Sequence, residues 1–369
     1  MKPKSNIMHL PVYQPGKPIE EVKKELGLST VTKLASNENP FGCSPLAKKA
    51  MLDEIEQASL YPDGGSVQLR ETLAAHLGVD ENQLIFGAGS DEVILMLARA
   101  FLVSGDETIM ADRTFPQYKH NAEIENAVCV EVPLLNGKHD LDAMLEKITS
   151  KTKIIWVCNP NNPTGTIVTH REMTAFMAKV PKDILVVLDE AYCEYNDGEE
   201  YPDGIQLLKE HVNLLLLRTF SKIYGLASLR IGYGIGHPEV VHTINQVREP
   251  FNTTRMAQAA AKAAIQDQAF IETCKQHNRQ GIAYLTQEVK RLGLDSFPAY
   301  GNFMMIHVNR PAQDVFQALL QKGYIVRSGA SLGFPASIRV TIGSQEQNEG
   351  FVQALEEILA VIPEAEMAT

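Results

Sequence analysis

Residues 214–236, LLLLRTFSKIYGLASLRIGYGIG, decide the fold of this chain. Four consecutive leucines bounded by polar residues are typical of a β-strand that is buried on both faces, as in a parallel sheet. Lys222 then follows the carboxyl end of this strand, where open α/β sheets bind their ligands. Gly232, Gly234 and Gly236 recur at a spacing of two, so one face of that segment carries no side chain and another group can approach it closely.

A second apolar segment, residues 184–192 (ILVVLDEAY), predicts another buried strand, and it ends in Asp189 and Glu190. Taken alone, Lys222 fits a solvated loop lysine better than a functional one. A carboxylate and a lysine that both follow buried strands form a candidate catalytic site, however. We therefore expect the two groups to meet at one edge of the sheet.

Composition and charge exclude several classes of protein. The chain has 369 residues, of which 44% are hydrophobic and 21% charged, which is ordinary for a globular protein of about two domains. Its formal net charge of −11 argues against a nucleic-acid-binding surface. The proline-rich N-terminus is not a signal peptide, and no apolar run is long enough to cross a membrane. The five cysteines show no CxxC pair, which predicts reduced thiols in the cytoplasm and neither disulfides nor a metal site.

The rest of the chain alternates between short apolar runs and helical spacings. This alternation predicts an α/β fold with a mostly parallel sheet covered by helices, and further strands at 83–86, 107–111, 128–132 and 153–157. A charged helical stretch at 268–292 then leads to a second, smaller domain. Its predicted strands are 302–308, 324–326 and 337–342, and its predicted helices are 312–322 and 345–359.

Other segments are suggestive without being decisive. Residues 87–92 (GAGSDE) open a helix and could bind a phosphate, but Ser90 as an N-cap explains them without a ligand. The loop 159–165 (NPNNPTG) directly follows a predicted strand, where binding loops occur. Arg339 lies inside an apolar strand and therefore needs a protein carboxylate or a ligand anion as its partner. The turn at Tyr61 (YPDG) favours a partly buried aromatic ring.

Pyridoxal 5′-phosphate is the cofactor that would use all of these groups together. Its aldehyde needs a lysine, its ring nitrogen a carboxylate, and its phosphate backbone N–H groups, hydroxyls and an arginine. The motifs NPNNPTG, DEAY and TFSK followed by LRIG, in this order, resemble the fold-type I aminotransferases. Within that family the chain is most similar to the histidinol-phosphate aminotransferases, through YQPG, LASNENPFG, YPDG and GSDE at 13–16, 34–42, 61–64 and 89–92.

The resemblance implies a role for each matching residue at the cofactor. Lys222 holds the cofactor and shuttles the proton, and Asp189 pairs with the ring nitrogen. Phe115 stacks on the ring, where many members of the family have tyrosine. Tyr192 and Asn162 bind the phenolic oxygen of the cofactor. The implied phosphate ligands are Ser90, the backbone N–H of Asp91, Thr219, Ser221 and Arg230, together with Tyr61 reaching across from a partner subunit.

The resemblance also implies a substrate site and an assembly. The substrate-binding residues would be Tyr13, Asn162, Arg327 and Arg339, with Phe251 and Asn252 lying near that pocket. The fold would be a three-layer sandwich with a large cofactor domain at 46–270 and a small domain made of 1–45 and 271–369. The enzymes of the family are homodimers whose active sites are shared between subunits.

The implied reaction converts histidinol phosphate and 2-oxoglutarate to imidazole-acetol phosphate and glutamate by ping-pong chemistry. Three alternatives remain open from the sequence. One is an aromatic amino-acid aminotransferase on the same scaffold. Another is a phospho-amino-acid decarboxylase that uses the same cofactor. The third is a cofactor-binding regulator without turnover.

Overall fold

The computed structural model describes residues 1–12 and 17–364, which separate into two compact units. The first consists of Met1–Pro11, Gly42–Asn162 and Ile167–Glu272. The second consists of the described residues of Val12–Phe41, Pro163–Thr166 and Thr273–Thr369. The domain limits expected from the sequence stay a prediction.

The strands of the described residues are β1 (Thr32–Lys33), β2 (Leu84–Gly87), β3 (Glu107–Ala111), β4 (Val128–Val132), β5 (Thr152–Cys158), β6 (Leu185–Asp189), β7 (Leu214–Thr219), β8 (Gly232–Gly236), β9 (Asp295–Ser296), β10 (Phe303–His307), β11 (Tyr324–Ile325), β12 (Arg327–Ser328) and β13 (Ser337–Thr341). The α-helices are α1 (Ile19–Leu26), α2 (Pro45–Asp53), α3 (Val67–Leu77), α4 (Ser90–Phe101), α5 (Gln117–Ile124), α6 (Leu141–Glu146), α7 (His170–Met177), α8 (Gly204–Glu210), α9 (Pro238–Asn245), α10 (Arg255–Gln266), α11 (Gln268–Arg291), α12 (Ala312–Gln321) and α13 (Gln345–Leu359).

The first unit contains a seven-stranded sheet in the order β2-β8-β7-β6-β5-β3-β4. Strand β8 runs antiparallel to both of its neighbours, and the other neighbouring pairs are parallel. The predicted α/β sandwich with a mostly parallel central sheet is therefore confirmed. The expected strands at 107–111 and 128–132 have the observed limits of β3 and β4, and the other strands of this sheet differ by one or two residues at their ends.

Strand β7 lies inside the sheet because its leucine side chains are apolar. All four leucines of Leu214–Leu217 are fully buried. Leu215 and Leu217 pack in a core that includes Val93 and Ile94 of α4, and α8 packs against the same strand. Because side chains alternate along a strand, burial of every leucine requires protein on both faces, as the sequence predicted.

The glycine-rich strand β8 brings the amino end of α4 against the sheet. A side chain at Gly232 would collide with the backbone nitrogen of Ser90, and one at Gly234 would lie 3.1 Å from Ile85. The close approach expected from the glycine spacing is confirmed. Its consequence is that the first N–H groups of α4 lie directly beside the strand that pairs with β7.

The second unit contains two smaller sheets. One is antiparallel in the order β12-β13-β10-β9, and the other is the parallel pair of β1 and β11. The predicted single strand at 324–326 is wrong, because the chain leaves one sheet after Ile325 and enters the other at Arg327. The predicted helix 345–359 is confirmed as α13, with the capping box that Ser344 and Gln347 form.

The N-terminal segment packs on the first unit, to which it belongs. The Asn6 amide donates hydrogen bonds to the carbonyls of Glu123 and Ile124 at 2.8 and 3.0 Å.

Among the described residues, none of the helices combines the length and the apolar character that a membrane span requires.

The turn after Lys222 generates a prediction about stability. Gly225 has a φ of +70°, and a Cβ there would collide with the carbonyl group of Gly42. Gly225→Ala should therefore lower the free energy of unfolding by about 2–4 kcal/mol in urea denaturation, through the left-handed backbone and the collision together. Gly78→Ala is the matched control, because Gly78 has a φ of +67° with nothing within 4 Å. It should cost only about 1–2 kcal/mol, and equal losses would contradict the assignment of a steric role.

Candidate active site

The adjacent strands β6 and β7 bring Asp189 and Lys222 to the same edge of the sheet. Asp189 is the last residue of β6 and lies opposite Leu217 of β7, whose chain continues through Thr219 to Lys222. The Lys222 ammonium nitrogen lies 5.6 Å from the centre of the Tyr192 ring. A carboxylate, an amine and a phenol are thus collected where the two parallel strands end.

Asp189 is a nearly buried carboxylate with two hydrogen-bond donors. It is 4% exposed. The hydroxyl of Tyr118 donates to Oδ2 at 2.5 Å, and the backbone N–H of Ala191 donates to Oδ1 at 3.2 Å. Burial raises the pKa of this carboxyl to about 6, although both hydrogen bonds act in the opposite direction. The group is therefore poised to ionise fully once a cation approaches it.

The neighbouring carboxylate has a different partner. Glu190 is fully buried and accepts hydrogen bonds from Nε and Nη2 of Arg218 on β7, both at 2.8 Å. The strand pattern alone pointed to both Asp189 and Glu190, and the family resemblance assigned the cofactor role to Asp189. The structure divides them, because Glu190 is held by a guanidinium and Asp189 by neutral donors.

Tyr118 is a site residue that the sequence analysis missed. Its ring stacks on Trp156 at a centroid distance of 4.8 Å and an angle of 12°, and it meets Phe115 edge-on at 5.6 Å. Phe115 precedes α5 and Tyr118 is the second residue of that helix, so no helical spacing in the sequence linked the two rings.

The asparagine-rich loop after β5 approaches the same edge. The side-chain amide of Asn162 donates to the hydroxyl of Tyr192 at 3.4 Å. Its neighbour Asn161 is tied to the segment before α5, because Asn161 accepts from the Thr114 hydroxyl at 2.8 Å and donates to the Arg113 carbonyl at 3.1 Å. The loop and the segment that carries Phe115 are therefore fixed to each other.

The amino end of α4 is surrounded by the other predicted phosphate ligands. Thr219 is the pairing partner of Gly232, where an added Cβ would collide with the backbone nitrogen of Ser90. Arg230 reaches the Ser221 hydroxyl at 3.4 Å and the Asp91 carboxylate at 3.3 Å. Hydroxyls, a guanidinium and free helix N–H groups together form a suitable cradle for an anion.

The predicted N-cap at Ser90 is wrong. The helix begins at Ser90, and the capping residue is Gly89 with a φ of 81°. No side chain caps the helix there. A Cβ at Gly89 would lie 2.5 Å from Nη2 of Arg230, so the glycine makes room for the guanidinium. The explanation of this segment as ordinary side-chain capping therefore fails.

Glu92 and Asn252 hold the loop before α4 in place by hydrogen bonds. A carboxylate oxygen of Glu92 accepts from the backbone N–H of Ala88 at 2.5 Å and from the Asn252 amide at 2.8 Å. The same amide donates to the Phe86 carbonyl at 3.0 Å. Asn252 was expected near a substrate pocket, and the structure shows it holding this loop.

Tyr61 lies on an exposed apolar surface of the first unit. It is 78% exposed, so the expectation of a partly buried ring is wrong. Its ring stacks on Phe251 at 4.7 Å, and its carbonyl accepts from Arg255 at 3.1 Å. Tyr13, the other predicted site tyrosine, lies outside the described residues.

The two predicted substrate arginines are neighbours in the second unit. Arg327 and Arg339 are directly opposite each other in the antiparallel pair β12–β13, so their side chains share one face of that sheet. The Arg339 guanidinium is 5.4 Å from the centre of the Phe303 ring and donates to the Ala35 carbonyl at 2.6 Å. Like charges in directly opposite positions repel, so this arrangement favours an anion as a common partner.

Comparison with known proteins agrees with the fold. The family model for aminotransferases of class I and II matches residues 29–355. Curated histidinol-phosphate aminotransferases from Anoxybacillus flavithermus and Bacillus subtilis are each 54% identical to this chain. The alignments cover 97% of the chain in both cases, and 97% and 100% of the two relatives.

A solved structure gives the same result. The crystal structure of histidinol-phosphate aminotransferase from Sinorhizobium meliloti in complex with pyridoxal-5′-phosphate superimposes with a TM-score of 0.88 at 25% identity. The superposition covers 96% of this chain and 97% of the Sinorhizobium meliloti chain. The fold and the site thus define an aminotransferase of class I and II. Within that class the chain belongs to the histidinol-phosphate aminotransferase family.

Proposed function

We propose that this enzyme transfers the amino group of histidinol phosphate to 2-oxoglutarate, giving imidazole-acetol phosphate and glutamate, with pyridoxal 5′-phosphate as its cofactor. The observation that carries the choice of substrate is the opposed pair Arg327 and Arg339. Histidinol phosphate has no carboxylate, so its phosphate is the only strong anion that it can offer to such a pair. A planar guanidinium suits the geometry of a phosphate better than a lysine would.

The residues of the first unit fit the cofactor. Burial raises the pKa of the Asp189 carboxyl to about 6, and a protonated ring nitrogen would give this carboxylate a charged partner. Gly89 and Gly232 let the Arg230 guanidinium and the backbone nitrogen of Ser90 come close together at the amino end of α4. The proposed phosphate ligands are Ser90, Asp91, Thr219, Ser221 and Arg230, with Phe115 against the ring and Tyr192 and Asn162 on the phenolic oxygen.

The bound cofactor supplies an electron sink for the charge that develops at the substrate Cα. Lys222 then acts through its side-chain nitrogen. Its free amine removes the proton from the substrate Cα and later returns a proton, first as general base and then as general acid. Asp189 would keep the ring nitrogen of the cofactor protonated, and Tyr192 would orient the phenolic oxygen near Lys222.

The second half-reaction uses a different anion. A 2-oxo acid carries a carboxylate, for which we assign Arg339 as the ligand. Arg339 is anchored by its bond to the Ala35 carbonyl, so its position does not depend on the substrate. Arg327 is then the residue that distinguishes a phosphorylated donor from a carboxylated one.

We further propose that the enzyme is a cytoplasmic homodimer. Exposed apolar side chains cluster on the first unit around α2 and the turn that follows it, namely Leu46, Leu52, Ile55, Leu60, Tyr61 and Phe251. Such a patch is typical of a protein–protein interface, and a second copy of the chain is the proposed occupant. No disulfide links any of the five cysteines in the described part of the chain, which is compatible with a reducing compartment.

The assignment of Lys222 predicts where the cofactor is attached. Borohydride reduction should fix the cofactor covalently to the wild-type enzyme and leave Lys222→Ala unlabelled. The variant should still bind cofactor through the phosphate cradle but lose at least about a thousandfold in turnover. Mass spectrometry of the labelled peptide is the measurement. A label on any other lysine would show that the assignment is wrong.

The shared site predicts complementation between two inactive variants. Tyr61→Ala and Lys222→Ala chains should each be inactive alone. After subunit exchange at equal concentrations, half of the dimers are mixed and each mixed dimer has one intact site, so about a quarter of wild-type activity should return. If exchange is verified by mass spectrometry and no activity returns, each site is built within a single chain.

The role of Arg327 predicts a change that depends on the substrate. A charge-assisted hydrogen bond contributes about 1.5–3 kcal/mol, so Arg327→Leu should lower kcat/KM for histidinol phosphate by roughly one to two powers of ten. The loss with phenylalanine as amino donor should be clearly smaller.

The matched control for that measurement is Arg310→Leu. Arg310 lies in the same unit and binds the carbonyls of Leu359 and Ile362 at the end of α13, so its loss should affect both donors equally. Equal losses with both donors for Arg327→Leu would assign Arg327 to the scaffold. A wild-type enzyme that prefers phenylalanine to histidinol phosphate would support the aromatic aminotransferase instead.

A further inference from the structure

We propose that Tyr118 is a positioning residue that keeps the Asp189 carboxylate ionised and correctly oriented for the ring nitrogen of the cofactor. This inference rests on the proposed pairing of Asp189 with that nitrogen. Its basis is the 2.5 Å hydrogen bond from the Tyr118 hydroxyl to Oδ2 of Asp189, made between two buried side chains of α5 and β6.

The geometry fixes both oxygens of the carboxylate. Oδ2 accepts from Tyr118, and Oδ1 accepts from the backbone N–H of Ala191 at 3.2 Å. A carboxylate oxygen has further lone pairs, so each still has capacity for one more donor. Two donors on different oxygens stop the group from rotating. It therefore presents a defined edge to the cofactor.

The phenol is itself held in place by a chain of contacts. Its ring stacks on Trp156, whose indole N–H donates to the Thr108 hydroxyl at 2.7 Å. That hydroxyl donates in turn to the Ile154 carbonyl at 3.0 Å. Burial, reinforced by the neighbouring Asp189, raises the pKa of Tyr118 well above 10. Tyr118 therefore remains a neutral donor throughout the working range of the enzyme.

The groups around Asp189 shift its pKa in opposite directions. Burial is the strongest influence and raises its pKa, and the nearby carboxylates Asp91 and Glu190 act in the same direction. The Cys158 thiol stays neutral, because burial raises its pKa to about 12. Tyr118 is the strongest influence that favours ionisation, ahead of the Ala191 N–H. Removing the phenol hydroxyl should therefore move the titration of Asp189 to higher pH.

The chain contains its own reporter for this titration. Trp156 is the only tryptophan of the sequence, is fully buried, and stacks directly on Tyr118. Its fluorescence in the full-length, cofactor-free enzyme should respond when the carboxyl at the other end of the phenol changes charge. This readout is independent of catalytic activity.

The experiment compares the wild type with Tyr118→Phe, which keeps the stacked ring and removes the hydroxyl. The wild-type fluorescence should titrate with a midpoint of about 6. The midpoint in Tyr118→Phe should be higher by about one to two pH units, the equivalent of one hydrogen bond to a charged group. Asp189→Asn should abolish the transition. Tyr201→Phe is the matched control, because it removes a hydrogen bond of the same 2.5 Å length to a backbone carbonyl, and its midpoint should not move.

Cofactor binding provides a second measurement on the loaded enzyme. Equilibrium dialysis should show roughly tenfold weaker binding by Tyr118→Phe than by wild type near pH 6.5 and almost equal binding near pH 9, where the carboxyl ionises in both. A merely structural defect would weaken binding equally at both values. If Tyr118→Phe does not fold, fluorotyrosine at position 118 replaces it. Its more acidic phenol is a stronger donor and should lower the midpoint.

The outcomes separate this inference from the proposed function. An unchanged midpoint in Tyr118→Phe, with the transition abolished in Asp189→Asn, would overturn the role of Tyr118 and leave that of Asp189 intact. Wild-type turnover and cofactor binding in Asp189→Asn would instead overturn the proposed pairing with the ring nitrogen. A raised midpoint together with the pH-dependent loss of binding supports both.

Discussion

The burial of a carboxylate at the end of a parallel strand is the constraint on which the rest of the site depends. An unpaired buried charge costs several kcal/mol, so each such group needs compensation from its surroundings. Asp189 and Glu190 are consecutive and both buried, yet they are compensated differently. Glu190 is paired with Arg218 across β6 and β7. Within residues 1–12 and 17–364, the donors to Asp189 are neutral, so it remains able to bind a cation, which is the property that its proposed role requires.

In the second unit, the groups that need compensation are two positively charged side chains. Arg327 and Arg339 face each other across β12 and β13, where like charges repel. The other face of that sheet is apolar, with Met304, Ile306, Ile338 and Val340 in the core. One face therefore stabilises the unit and the other concentrates positive charge. The anionic ligand that we propose for this pair would relieve the repulsion.

The sequence predicted the parts of the fold that depend on local pattern. The leucine run, the glycine spacing and the alternation of strands and helices all correspond to β7, β8 and the mixed sheet. The strand at 324–326 was wrong because two-residue strands are too short to show any periodicity. The sequence also offers Ser90 as an N-cap, because its side chain suits that position. The left-handed Gly89 occupies it instead, since only glycine leaves room for Arg230.

Tyr118 could not be predicted, because its partner Asp189 lies 71 residues away and the contact depends on how α5 packs on the sheet. A phenol as the donor fits the cation that we propose Asp189 binds. A histidine or lysine would also favour the ionised carboxylate, but its positive charge would compete with the protonated ring nitrogen for the same group. A phenol whose pKa is raised well above 10 donates a strong hydrogen bond without adding charge. The fold thus orients the carboxylate and, in the proposed pairing, leaves its negative charge for the cofactor.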